Sequence, residues 1–260
     1  FIDVIADIRR RLLRVAEVCA ESFATVLHQG SGTYALEAVV GSTIPQDGKL
    51  LVVVNGTYGR RLAQIGRVLG IETQELAYPE DALPRADDVA ERLAADAAIA
   101  QVSVCSCETT SGILNPVEAI GRAVHAAGRT FFVDAMSSFG ACPLDLEAAR
   151  VDYLVSSANK CIEGVPGFAF VLARRKPLEA TEGRARSLSL DLFAQYRGFE
   201  TNGQFRFTPP THALLAYQQA LIELEAEGGV SARNRRYQAN HQTLTAGMER
   251  LGFQTYLPPE

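Results

Sequence analysis

Three short stretches carry side chains of a kind and order suited to chemistry on a small anionic molecule. Gln29-Gly30-Ser31-Gly32-Thr33 stands between an apolar run and a helical pattern. Glycines let backbone approach a ligand, Ser31 and Thr33 offer hydroxyls, and the dipole and free N–H groups of a helix amino terminus favour an anion, so a phosphate is the natural guest. The same residues also read as an ordinary N-cap with a glycine turn. Asp134 closes the apolar run that begins at Thr130. A carboxylate at a buried strand end needs a partner, and a protonated ring nitrogen would keep it ionised; alone, it reads as the cap of the turn that follows. Lys160 ends the next run within Ser156-Ser157-Ala158-Asn159-Lys160-Cys161, ahead of Gly164-Val165-Pro166-Gly167. A desolvated amine there could attack a carbonyl, although a lone lysine more often snorkels to water.

Taken together, a phosphate cup, then a carboxylate, then an amine on successive strand ends is the order that pyridoxal phosphate requires: anchor, pyridinium partner and Schiff-base amine. Rival readings of the first motif are weaker. No lysine follows the glycines as a Walker loop requires. Gly30-x-Gly32-x-x-Ala35 matches the relaxed dinucleotide fingerprint, but Asn55-Gly56 stands where that fold wants an acidic residue. A dinucleotide-binding or non-catalytic domain stays open as the alternative of another class.

The elements that must position these residues are legible as alternating runs. Strand-length apolar segments fall at Phe23 to Leu27, Leu50 to Val54, Ile71 to Ala77, Ile99 to Cys105, Thr130 to Val133, Tyr153 to Ser156 and Phe168 to Ala173. Helical patterns at Thr33 to Val40, Tyr58 to Leu69, Ala86 to Ala95 and Pro116 to Ala127 separate them, and Ile5, Ile8, Leu12 and Val15 share one face of a helix at the amino end. Alternation with near-continuous apolar strands predicts an α/β fold with a mainly parallel sheet covered by helices on both faces. Beyond about residue 176 the strands stop; Thr211 to Gly228 and Val230 to Leu251 read as long helices, and Gly252 to Leu257 as a strand. Part of a smaller C-terminal domain is expected there. The chain begins at Phe1 inside a helical pattern and stops at Pro258-Pro259-Glu260, as a portion of a longer protein would.

Composition excludes other classes. Twenty-five Lys and Arg against 30 Asp and Glu leave a net charge of -5, with no electrostatic reason to expect nucleic acid or an anionic membrane as partner. The longest aliphatic run, Leu50 to Val54, falls far short of the roughly 20 apolar residues that span a bilayer. No export signal is visible around Asp3, Asp7 and Arg9-Arg10-Arg11. Cys19, Cys105, Cys107, Cys142 and Cys161 are odd in number and lack C-x-x-C spacing, which suits reduced thiols in a cytoplasmic protein; no metal-ligand spacing is present.

The order and local sequences resemble the class V branch of the fold-type I pyridoxal-phosphate aminotransferases, and within it the enzymes that act on small aminophosphonates. The likeness runs through Gln29–Thr33, Asn55-Gly56-Thr57-Tyr58-Gly59, Glu108-Thr109-Thr110-Ser111-Gly112, Val133–Gly140, Ser156–Cys161, Ser187–Leu192 and Arg206-Phe207-Thr208-x-Pro210-Thr211-His212. The resemblance implies transfer of an amino group from an aminophosphonate to pyruvate, with pyridoxal 5'-phosphate as cofactor. It implies that Ser31, Gly32 and Thr33 bind the cofactor phosphate with Asn159 nearby. Tyr58 and Met136 would cover the two ring faces, Thr109 would meet the ring hydroxyl region, and Asp134 the ring nitrogen. Lys160 would form the Schiff base. Thr208 would reach the phosphate of the other subunit in a homodimer with a shared active site.

A large cofactor domain is expected over 1–210, with linking helices and the start of the small domain over 211–260. The family's Thr-Pro-Gly-Pro-like opening and the C-terminal arginine that grips the substrate acid group are not in this sequence. Arg186 and Arg206 are the cations whose orientation the sequence leaves open. An alanine- or serine:glyoxylate-type aminotransferase would share every cofactor residue and differ only in the pocket.

Overall fold

The computed structural model describes residues 1–257. The chain opens with α1 (Ile2–Val15), β1 (Phe23–Gln29), α2 (Gly32–Thr43), β2 (Lys49–Val54), α3 (Thr57–Val68) and β3 (Thr73–Ala77). It continues with α4 (Ala86–Ala95), β4 (Ile99–Cys105), the short pair β5 (Cys107–Glu108) and β6 (Ile113–Leu114), α5 (Val117–Ala126) and β7 (Thr130–Asp134). After β8 (Tyr153–Ser157) and β9 (Phe168–Arg174) come, among the described residues, only helices: α6 (Arg175–Glu179), α7 (Leu192–Asn202), α8 (Thr211–Glu227) and α9 (Gly229–Arg250).

The main sheet has seven strands in the order β1-β9-β8-β7-β4-β2-β3. Every residue of β8, and all but an end residue of β2 and β9, is buried, so both sheet faces are covered and the apolar strands need no polar alternation. The α/β, mainly parallel fold is as expected. One strand departs from it: β9 runs antiparallel to both β1 and β8. The turn through Gly164 and Gly167 reverses the chain there, so Lys160 sits on a strand-to-strand connection and not on a strand-to-helix crossover. Because β1 and β8 both oppose β9, they run the same way as β7, β4 and β2. The carboxyl ends of those five strands therefore share one edge of the sheet, and β2 and β4 flank the point where the strand order changes direction, where ligand crevices form in such sheets.

The α1 helix buries Ile5, Ile8, Leu12 and Leu13, with Val15 only partly covered. From α8, Tyr217 is wholly buried, edge-on to Phe168 with ring centroids 4.9 Å apart, so α8 shares the core of the sheet. By contrast α9 buries a single side chain, Arg233. The strand expected at Gly252 to Leu257 is a turn followed by irregular chain. Gly252 has a φ of +88° that ends the helix, Phe253 and Tyr256 stand in solvent, and no ladder partner is available to the segment among the described residues; aromatic residues alone do not make a strand. Among the described residues no helix is long and apolar enough to cross a membrane.

Candidate active site

The glycine-bearing turn at Gln29 to Thr33 forms where β1 hands over to α2. Gly30 takes a φ of +98° and donates its N–H to the Gly167 carbonyl at 2.9 Å, which ties the cup to the turn beyond Lys160. Ser31 is the N-cap of α2, is exposed, and makes no side-chain cap hydrogen bond. Its hydroxyl and the first N–H groups of α2 thus remain free to meet an anion. Gly32 and Thr33 are half-buried in the first turn.

Asp134 lies at the end of β7, opposite Cys105 of β4 and Val155 of β8, and is 3% exposed. Its Oδ1 accepts the Met136 N–H at 3.0 Å. Its Oδ2 has only a distant cation, the Arg61 guanidinium at 3.9 Å, and the Cys105 thiol at 4.0 Å. Burial pushes the carboxyl up to about 6, with the Met136 N–H, the Arg61 guanidinium and the Lys160 ammonium acting the other way. The same burial, reinforced by Asp134, holds the Cys105 thiol well above its ordinary value, so that sulfur is inert packing.

Tyr58 and Arg61 stand one turn apart on α3, and the Arg61 guanidinium lies 4.5 Å from the centre of the Tyr58 ring. Glu108 fixes the start of this helix. Its wholly buried carboxylate accepts the N–H groups of Tyr58 at 3.2 Å and Gly59 at 3.1 Å, and the Thr110 hydroxyl at 2.9 Å. Anions are favoured at a helix amino terminus, and this one is supplied by the chain itself. Gly56 must lack a side chain here, since a Cβ would collide with the Glu108 carboxyl group. Thr109 is exposed and its hydroxyl lies 2.6 Å from that of Ser137.

The structure therefore gathers Ser31, Gly32, Thr33, Tyr58, Thr109, Asp134 and Met136 around one edge of the sheet. Met136 is buried against Gly32. Asn159 and Lys160 are exposed on the connection after β8, where the Asn159 side chain accepts the Ser157 hydroxyl at 3.1 Å. The Lys160 amine is thus open to water in the single chain, where the sequence suggested a desolvated one. Thr208 is exposed on a loop that returns beside the cup, and its carbonyl accepts the Gln29 side-chain amide at 3.2 Å.

Neither arginine left open by the sequence is aimed at an anion here. Arg186 donates to the Ile44 and Pro45 carbonyls at 2.8 and 3.2 Å, at the end of α2, and Arg206 to the Leu188 carbonyl at 3.0 Å. Two residues of the site escaped the sequence reading. Arg61 had a usable signal, its i, i+3 spacing from Tyr58 on one helix face. Glu108 had only its place in the Glu108–Gly112 stretch, because only the closure of β5 on α3 shows which N–H groups it meets.

A carboxylate, an amine and an anion cup at the carboxyl edge of a mainly parallel sheet define an aminotransferase of the fold-type I kind, and the sequence profile described as "Aminotransferase class-V" matches residues 4–260. The chain belongs to the class V aminotransferase family. It is 54% identical over 256 residues to the 2-aminoethylphosphonate--pyruvate transaminase of Syntrophobacter fumaroxidans, covering 98% of this chain and 69% of that relative. It is 50% identical over 260 residues to the enzyme of the same name from Salmonella paratyphi B, covering 100% and 71%.

Among solved structures, alanine--glyoxylate aminotransferase from Nostoc sp. superposes with a TM-score of 0.92 at 23% identity, over 99% of this chain and 68% of that one. Pyridoxamine-pyruvate aminotransferase from Mesorhizobium loti gives 0.82 at 25% identity, over 91% and 60%. The chain thus spans about 70% of the curated relatives' length and 60% to 68% of these two structures.

Proposed function

We propose that this chain carries the cofactor machinery of an enzyme that moves the amino group of 2-aminoethylphosphonate to pyruvate, giving phosphonoacetaldehyde and alanine. The substrates rest on the 54% and 50% identity to transaminases of that name. The cofactor, pyridoxal 5'-phosphate, rests on one observation above all: Asp134 is a buried carboxylate whose Oδ2 has no donor closer than Arg61 at 3.9 Å. A protonated ring nitrogen is the donor that such an oxygen lacks. The cup at Ser31, Gly32 and Thr33 suits the phosphate, so the residues present fit the group.

When bound, the cofactor supplies a conjugated ring that accepts the electron pair left as the substrate carbon bearing nitrogen loses its proton. The chain's own residues do the rest. Lys160 would hold the group covalently through Nζ, and its amine would carry the proton from the substrate carbon. Asp134 keeps the ring nitrogen protonated. Ser31, Gly32 and Thr33, with Asn159, would hold the phosphate; Tyr58 and Met136 would pack on the ring, and Thr109 would meet its hydroxyl. Thr208 serves the phosphate of a second copy in a homodimer, and the helices from residue 211 onward lead to the smaller domain. A cytoplasmic setting fits the free thiols.

Borohydride reduction of the cofactor-loaded protein followed by peptide mapping tests the assignment: the pyridoxyl mass belongs on Lys160. Finding it on Lys49 or Lys176 removes the mechanism. Alanine turnover with phosphonoacetaldehyde against glyoxylate then tests the substrates, and a preference for glyoxylate returns the chain to the related alanine- or serine-using enzymes.

A further inference from the structure

The one buried side chain of α9 belongs to Arg233, and it points at the turn that carries Lys160. Arg233 is 3% exposed. Its Nη1 donates to the Cys161 carbonyl at 2.7 Å, while Nε and Nη2 grip Glu227 Oε2 at 2.8 and 2.6 Å. Around it, Arg236 joins Glu227 and Glu163 at 2.8 and 2.9 Å, Tyr237 donates to Glu163 at 3.1 Å, and Asn234 donates to the Ala141 carbonyl at 2.8 Å. The start of α9 thus holds both the loop after Asp134 and the turn around Lys160.

That turn is tight and strained. The Lys160 carbonyl accepts the Glu163 N–H at 2.7 Å, and the Ala158 carbonyl accepts the Gly164 N–H at 2.9 Å. Glu163 sits at a φ of +65°, a backbone region that a residue with a side chain keeps only where its surroundings over-determine it. Burying a guanidinium is costly, and an ion pair seldom recovers the whole cost. A plain apolar contact would fasten α9 as well; what only the arginine's fork provides is a hydrogen bond to the Cys161 carbonyl together with a counter-ion of its own.

We propose that Arg233 is the positioning residue for Lys160: by holding the next carbonyl in the chain, it fixes the direction in which the lysine side chain leaves the turn. The inference rests on the reading of Lys160 as the amine that holds the cofactor. An amine that must meet both a cofactor carbon and a substrate proton tolerates little misplacement. The anchor also lies on the helix that leaves the cofactor body, so the geometry of Lys160 is coupled to whatever α9 carries at its far end.

The test uses the full chain loaded with pyridoxal phosphate, in wild type, Arg233→Met and Arg233→Lys. Visible circular dichroism reads the orientation of the bound cofactor, and kcat and KM are measured separately. In Arg233→Met the visible band should weaken or change sign, with kcat lower by about tenfold or more and KM nearly unchanged. Arg233→Lys, which keeps the charge and one donor, should fall between. A wild-type band and kcat in Arg233→Met, with only the melting temperature lowered, overturns the proposal and leaves Arg233 as a strut. If Arg233→Met does not fold, Arg233→Lys decides alone, since an unaltered band in that variant also overturns it. Borohydride mapping of the wild type separates the two readings: a mass on another lysine removes the role of Lys160, whereas a mass on Lys160 with unaltered spectra removes only that of Arg233.

Discussion

The thioether of Met136 occupies the place that a Cβ on residue 32 would take: its Sδ lies 2.5 Å from that position. A Cβ at residue 32 would displace the far end of the Met136 side chain, and the turn at Ser31 to Thr33 and the loop after Asp134 are joined through that side chain. Gly32→Ala must push Met136 aside. Cofactor affinity should drop about tenfold, equivalent to about 1.4 kcal/mol, and Met136→Ala in the same chain should restore part of it. Titration of cofactor absorbance measures both. Unchanged affinity in Gly32→Ala would show that Met136 swings away freely and has no part in the site.

Asp134 makes the cofactor-free protein sensitive to pH. Burial lifts its folded-state pKa from 3.8 to about 6. Its contribution to stability is therefore complete below about pH 4 and is lost as the pH rises through 6, at a cost of about 3 kcal/mol once ionised. Without cofactor, Asp134→Asn should unfold at a higher temperature than wild type at pH 7 to 8, and the gap should close towards pH 4. A gap that ignores pH would mean that Arg61 already serves as full counter-ion.

His28 acts in the opposite sense. It is 2% exposed on β1, its Nε2 has no hydrogen-bond partner among the described residues, and burial, aided by the nearby Arg206 charge, lowers its pKa from 6.5 to about 4. Its stabilising contribution is complete above pH 6.5 and fades as the pH falls towards 4, by about 3 kcal/mol. His28→Gln should flatten the acid limb of the unfolding curve measured by denaturant titration. An acid limb identical to wild type would place the loss at other groups.

Thr208 separates a shared site from a self-contained one. The N-cap of α8 is Pro210, with no side-chain cap bond, so a threonine two residues earlier is not spent on capping. Thr208→Val should weaken cofactor retention and dimerisation together, since a ligand bound by two chains stabilises their association. Sedimentation at several concentrations, with and without cofactor, measures this. A monomer at full cofactor occupancy excludes the shared site.

How far the sequence was legible follows from where each signal lives. The runs at Leu50 and Tyr153 are apolar at almost every position, and burial on both faces allows little else, so the strands and the parallel sheet could be read directly. The direction of β9 could not, because an apolar run is the same written either way and the reversal lies in the turn at Gly164 and Gly167. The cup, Asp134 and Lys160 were legible because each sits at a strand end whose chemistry does not suit a core. Glu108 and Arg233 were hidden for the opposite reason: each is a charge that reaches, besides a nearby side chain, backbone groups far along the chain. The aromatic run after Gly252 misled, since strand propensity says nothing about whether a partner strand is at hand.

The position of β1 at the sheet edge has a kinetic consequence. That strand, which delivers Ser31 to Thr33, is hydrogen-bonded in the sheet to β9 alone among the described residues, with Phe23 opposite Arg174. The partner it needs lies far along the chain, beyond β8, and closing so long a loop is slow compared with pairing strands that are adjacent in sequence. The β2 to β8 strands can assemble first, carrying Asp134 at their carboxyl ends, while Ser31 to Thr33 still belong to a segment not yet paired into the sheet. The turn at Ser31 to Thr33 is therefore set late in folding, once β1 and β9 have met.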